Sequence, residues 1–237
     1  MKNVLTVGAA LMLTTTAAVA GGLDRSGQSI GAIFEAGGYA ELSYGLVMPD
    51  VSGSAAGGAL NSGNVGVDYG NLGLAFKYDI DDKVSVAVIV DQPFGANVDY
   101  AADTGYPLAG SNAEIKSKAL TVVGRYKFNE NFSVHFGPRM VQMEGYAIVA
   151  QGGSAYDAVY EADTGTGYVV GAAYERPDIA LRVALTYSSA IAFSHDTTLL
   201  VAPGTRAPVA STDYTTPESW NLDFQTGVAA DTLVFGS

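Results

Sequence analysis

"NLGLAFKYDIDDKVSVAVIV", residues 71–90, contains two apolar alternations on either side of a short acidic turn. Leu72, Leu74, Phe76 and Tyr78 fall on every second position, and Val84, Val86, Val88 and Val90 do the same after the turn. A period of two is the signature of a strand, because successive side chains leave opposite faces. The intervening Asp79-Ile80-Asp81-Asp82-Lys83 is polar and short, so the stretch reads as a β-hairpin with one continuous apolar face. What that face meets decides the fold: the core of a soluble sandwich, or lipid.

The same pattern recurs along the chain. Strands are expected at 39–48, 69–80, 84–92, 118–128, 132–143, 166–175, 179–195 and 218–228. They are about 9 to 17 residues long, at or above the length of a tilted membrane strand. Short polar joints at 79–83, 129–131, 175–178 and 229–231 alternate with long ones at 51–68, 93–117, 148–165 and 194–216. The long joints are rich in Gly, Ala, Ser, Thr and Pro and read as loops. Short turns at one end and long loops at the other are the plan of a transmembrane β-barrel.

The two faces differ as that plan requires. One carries Leu72, Leu74, Phe76, Val86, Val88, Leu120, Val122, Tyr126, Phe132, Val134, Phe136, Val170, Val183, Leu185, Leu222 and Phe224. The other carries Lys77, Ser85, Thr121, Arg125, Ser133, His135, Arg139, Arg182, Thr186, Asn221, Asp223 and Gln225, too polar for a dry sandwich interior and suited to a wet lumen. A soluble β-sandwich shares the alternation but uses strands of about 5 or 6 residues. Tyr44, Tyr78, Tyr126 and Trp220 stand toward strand ends, where interfacial aromatic girdles sit. The expected fold class is all-β: a transmembrane antiparallel β-barrel.

Residues 1–20 have a basic start, an apolar run and a terminal Ala18-Val19-Ala20, which reads as a secretory signal peptide and implies export. No later run is long and apolar enough for a spanning helix. With no cysteine, neither disulfides nor a thiolate metal site is available, and two histidines are too few for a His-rich one. There are 24 acidic against 12 basic residues, a formal net charge of −12 at pH 7, which argues against nucleic acid as a partner. No cofactor is expected.

Several segments together resemble the FadL-like outer-membrane transporters, which include long-chain fatty-acid channels and aromatic-hydrocarbon channels of the TodX type. They are GYAELSYGLVMPDVSG at 38–53, DQPFGANVDY at 91–100, GRYKFNENFSVHFG at 124–137, ALTYSSAIAF at 184–193 and TPESWNLDFQTGVAADTLVFGS at 216–237. The resemblance implies a 14-stranded monomeric barrel in the outer membrane of a Gram-negative cell, plugged by an N-terminal hatch. About eight to nine strands are expected in this chain, which therefore reads as C-terminally truncated, with unpaired sheet edges that a membrane interior cannot satisfy. The division is a signal peptide at 1–20, a short hatch-like segment at 21–38 and a partial barrel at 39–237. In the hatch, Leu23, Ile30, Ile33 and Phe34 are candidates to fill a lumen, with Gly21, Gly22, Gly27 and Gly31 allowing bends.

The resemblance further implies uptake of a hydrophobic compound, foremost a long-chain fatty acid, by capture at external loops and lateral release into outer-membrane lipid. Leu199-Leu200-Val201, an apolar run on the last long loop, and Phe94 are candidate ligand contacts. Pro93 and Gly95 are expected to weaken pairing after the third strand, since proline has no N–H for the ladder. The family's third strand kinks there and opens the wall. Arg125, Arg139 and Arg182 share the lumen face and allow two readings: pairing with lumen acids such as Asp223, or capture of a carboxylate through two charge-assisted hydrogen bonds. A general diffusion porin, and a lipolytic enzyme using Ser133 with His135, are the alternative functions. Ordinary lumen residues are the simpler account of that pair. Gly165-Thr166-Gly167 with Gly171 is strand glycine, because no helix follows to make a dinucleotide loop.

Overall fold

The computed structural model describes residues 23–151, 154–202, 205–229 and 232–237; the signal segment, Gly21 and Gly22 lie outside them. The strands are β1 (Tyr39–Val47), β2 (Ser54–Ala55), β3 (Leu60–Asn61), β4 (Tyr69–Asp79), β5 (Val84–Asp91), β6 (Gly95–Asp99) and β7 (Asn112–Lys127). They continue with β8 (Phe132–Gln151), β9 (Ser154–Arg176), β10 (Leu181–Ser188), β11 (Ile191–Ala202), β12 (Thr205–Thr216), β13 (Ser219–Ala229) and β14 (Thr232–Gly236). No helix among the described residues is long and apolar enough to cross a membrane.

All but the β2–β3 hairpin join one antiparallel sheet, in the order β1-β4-β5-β7-β8-β9-β10-β13-β14. The hairpin read from residues 71–90 is there, with Leu74 opposite Val90 and Tyr78 opposite Val86. β6 continues β5 along β7. β11 and β12 likewise extend the β10–β13 pair, so that Ser188 opposite Ser219 and Ile191 opposite Thr216 belong to one long hairpin.

Two expectations need correction. Residues 179–195 are not one strand: the line breaks at Ser189-Ala190, and the buried set changes parity from Ala184, Thr186 and Ser188 to Ile191, Phe193 and His195. Ser189 bridges the break, its N–H donating to the Tyr168 carbonyl at 3.0 Å while its Oγ accepts from the Tyr168 N–H at 3.0 Å. Nor are 148–165 and 194–216 loops. β8 and β9 stay paired as far as Gln151 opposite Ser154, and β11 pairs with both β12 and β9. These hairpins are wet on one or both faces, so they lack the apolar alternation that marks the strands below them. Leu199 and Leu200 accordingly lie within β11, with Leu199 opposite Ala158 of β9; the side chain of Val201 lies outside the described part.

Burial is inverted relative to a soluble sheet. Phe76 is 58% exposed and Phe136 62%, whereas Lys77 and Arg125 on the opposite face are 2% and 3% exposed. A soluble sandwich would bury the apolar set, so this sheet is built for an apolar solvent on its convex side. Aromatics form the girdles: Tyr168, Tyr187 and Trp220 run side by side with ring centroids 6.1 and 5.1 Å apart, and Phe132 meets Tyr174 at 5.0 Å nearer the short turns. Above the first row the outward residues turn polar, from Leu120 to Lys118 on β7, from Met140 to Gln142 on β8 and from Tyr168 to Thr166 on β9. On β8 the apolar stretch from Phe132 to Met140 is about 27 Å at about 3.4 Å per residue. With barrel tilt that approaches the apolar band of about 25 Å.

The segment before β1 fills the concave side. Ile30, Ile33 and Phe34 are buried there against Ala87, Ile89, Val123, Val169, Ala173 and Ala184. Its irregular backbone needs partners, and the polar lumen face supplies them. Lys77 Nζ donates to the Gly37 carbonyl at 2.8 Å, Asn221 Nδ2 to that of Gly27 at 3.2 Å and Asn71 Nδ2 to that of Arg25 at 3.1 Å. Gly27 and Gly37 have φ of +63° and +66°, which a side chain would resist.

Candidate functional site

Above the plug, the extended hairpins enclose an apolar cavity of about 390 Å³. Ala113 and Ile115 come from β7, Met143 and Tyr146 from β8, His195 from β11, Tyr214 from β12, and Leu23 from the start of the plug. The parity change at Ser189-Ala190 turns Ile191, Phe193 and His195 inward: the first two join Met143, Val141 and Ala119 in an apolar cluster, and His195 lines the cavity beside it. Phe193, His195 and Tyr214 lie near-parallel with centroids 5.3 to 5.9 Å apart.

Two of the polar groups in this cavity bond to each other. His195 Nδ1 donates to the Glu161 carbonyl at 2.6 Å, which leaves Nε2 to accept from the Tyr214 hydroxyl at 3.0 Å. Burial, reinforced by Asp163, pushes the Tyr214 phenol up to about 12, so it stays a neutral donor. Glu144 is the one acid of the lining, and no Lys or Arg among the described residues lines the cavity. The arrangement suits an uncharged, largely apolar molecule that can meet a few hydroxyls.

The three arginines read from sequence lie elsewhere, below the cavity. Arg125 is ion-paired to Glu175, and its Nε donates to Ser133 Oγ at 3.0 Å. Arg139 Nη1 donates to Gln28 Oε1 of the plug at 2.5 Å, and its Nη2 is 3.7 Å from Asp91 Oδ2. The Arg125 and Arg182 guanidinium carbons lie 4.8 and 4.9 Å from the ring centroid of Phe34, which also meets His135 edge-on at 5.6 Å. His135 Nε2 bonds Thr186 Oγ1 at 3.0 Å, and no hydrogen bond joins it to Ser133 among the described residues. Gly171 makes room for that imidazole, since a Cβ would stand 2.3 Å from Nε2.

The wall is interrupted at Gln92-Pro93-Phe94. Asp91 faces Ala119 but Gly95 faces Lys116, so three residues of this strand oppose two of β7, a bulge. Ser117 Oγ takes over there, accepting from the Phe94 N–H at 2.8 Å and donating to its carbonyl at 2.6 Å. On the other side the β4–β5 ladder stops at Leu74 opposite Val90, and the Leu72 N–H turns to Gln92 Oε1 at 3.0 Å. The upper part of β4 is thus separated from the third strand line.

Cavity, plug and interrupted wall occur together in a chain with known likenesses. The family model described as outer membrane protein transport protein (OMPP1/FadL/TodX) matches residues 38–226. The crystal structure of a Pseudomonas aeruginosa FadL homologue superposes with a TM-score of 0.57 at 16% identity, over 81% of this chain and 56% of that one. This chain thus spans little more than half the length of that structure. No curated protein matches it.

Proposed function

Since the chain belongs to the outer membrane transport protein family named for FadL and TodX, we propose that the full-length protein carries hydrophobic small molecules, foremost long-chain acyl compounds, through the outer membrane of a Gram-negative cell after export by its signal peptide. The observation that carries this reading is the apolar cavity at the outer end of an inside-out sheet whose concave side buries charged groups and is plugged. A ligand enters between the extended hairpins, rests against Ile115, Met143 and Tyr214, and leaves through the interrupted wall at Pro93 and Gly95. That exit keeps acyl carbons out of water, where each CH₂ costs about 0.8 kcal/mol to expose. Plug contacts with strands from β4 to β13 weigh against an open diffusion pore, whose conduction needs a wet path.

Filling the cavity is the direct test. Ala113→Trp in the full-length protein is expected to weaken binding of a fluorescent acyl probe by about tenfold or more, a loss of about 1.4 kcal/mol. Leu200→Trp on the same hairpins, outside the cavity lining, is expected to bind normally. Equal affinities of both variants and wild type would place capture elsewhere.

Orientation follows from the joints. Asn61, exposed on the β2–β3 hairpin, should face outside, and Asp82, exposed in the β4–β5 turn, the periplasm. An impermeant maleimide on intact cells should label Asn61→Cys and spare Asp82→Cys, each read against the protein without the added cysteine. The reverse result would invert the barrel.

A further inference from the structure

Gly95 does not owe its place to backbone freedom, since it is absent from the positions with positive φ. Its missing side chain is filled from the plug: a Cβ there would stand 2.6 Å from Arg25 Cζ, 2.6 Å from Nε and 2.7 Å from Nη1. The same guanidinium lies 3.7 Å from the ring centroid of Tyr69, at the start of β4. Tyr69 and Gly95 are the two banks of the interruption in the wall. The Arg25 backbone spans the same gap, donating its N–H to the Pro93 carbonyl at 2.8 Å and accepting from Asn71 Nδ2 of β4 at 3.1 Å. Asp24 bridges Phe94 in antiparallel fashion, and Ser26 Oγ donates to Asp91 Oδ2 at 2.7 Å. No carboxylate is ion-paired with Arg25 among the described residues, so the stacked guanidinium is held by a π face and by fit, with Glu114 attracting it from beyond ion-pair distance.

We propose that Arg25 is the bolt of the wall opening: its side chain, stacked on Tyr69 in the space left by Gly95, closes the gap between β4 and the third strand line, and it must swing away for a ligand to pass. A single cation–π contact is strong enough to favour the closed state and weak enough to open without unfolding the plug. The neighbouring backbone bonds of Arg25 set where the bolt sits, and Gly95 sets the socket. The proposal rests on lateral release as the exit, and its test separates the two.

The full-length protein in lipid vesicles carries Ser29→Cys, which lines the hollow behind the bolt with Arg25, Ala75 and Ile89. Hexadecyl maleimide, confined to the bilayer, reports opening without any transport. Arg25→Ala and Gly95→Ala are expected to speed labelling about fivefold to tenfold, as loss of one cation–π contact implies. Arg25→Lys, which keeps a cation over the ring, should stay near wild type. Equal rates for Arg25→Ala and its parent would overturn the bolt, whatever the protein carries. In a second arm, Asp24→Cys with Phe94→Cys pins the segment to the kink by a disulfide between bridge partners. Uptake of a labelled acyl compound is expected to stop on oxidation and return on reduction, while probe binding persists. Full uptake by the oxidised protein would refute both bolt and side exit, and a wild type that takes up nothing would refute the transport reading alone.

Discussion

Arg125→Ala should be among the most damaging single substitutions in the lumen, lowering the stability of the full-length protein in detergent or lipid by about 3 kcal/mol. Arg125 is 3% exposed and ion-paired to Glu175, and removing the guanidinium strands that carboxylate beside a largely dry face. It also deprives Ser133 of its donor and Phe34 of one of the two cations over its ring. Glu175 keeps some contact with solvent, its side chain being 19% exposed, which holds the loss at the lower end of the range for a broken buried pair of about 3–5 kcal/mol. The double variant Arg125→Met, Glu175→Gln removes both charges and is expected to recover most of the loss. Urea titrations of the refolded protein read both. If Arg125→Ala unfolds at the same urea concentration as wild type, the pair contributes nothing and Glu175 is already solvated.

The architecture could be read from the chain because its signals are local. Leu72 to Val90 announces two strands, a turn and an apolar face within twenty residues, and lipid on the convex side follows from combining that face with Arg125, Arg139 and His135 opposite it. Strand lengths above the girdle could not be read. Alternation marks a strand only where one face is apolar, and β11 and β12 beyond Phe193 have no such face. The cavity was hidden for another reason. Ile115, Met143, His195 and Tyr214 come from four strands, and a single residue of slip at Ser189-Ala190 turns Ile191 and Phe193 inward. The nearest sequence signal was Met143 with Ile191 and Phe193, apolar residues of a polar face once the slip is allowed.

The arginines show what residue type alone can and cannot say. Their lumen face was legible, but their partners come from long range: Glu175 is fifty residues from Arg125, and Gln28 lies in the plug. Gly95 is a different case, a position whose expected role and observed surroundings have different physical causes. Proline and glycine in sequence suggested a bend, whereas the bulge opposite Ser117 supplies the bend and Gly95 supplies room for Arg25.

The cavity's charge leads to the last prediction: an acyl ligand should bind there in its uncharged form. No Lys or Arg among the described residues lines the walls, Glu144 is an acid of the lining, and the hydroxyls, on Tyr146, Tyr160, Thr212 and Tyr214, are neutral, that of Tyr214 already donating to His195. A carboxylate brought in would lose its water and meet no cation, a penalty of several kcal/mol. Dodecanol is therefore expected to bind the full-length protein about 100-fold more tightly than dodecanoate at pH 8, a difference of about 2.7 kcal/mol. The sign with pH follows: as pH falls through the ligand's own carboxyl pKa, the neutral acid grows and apparent affinity for the acid rises, while dodecanol changes little. Thr212→Lys, which puts a cation on the cavity wall, should reverse the preference. Equal binding of acid and alcohol at pH 8, or an affinity for the acid that falls on acidification, would show that the carboxylate reaches a cation, and Arg139 behind the plug would become the first candidate.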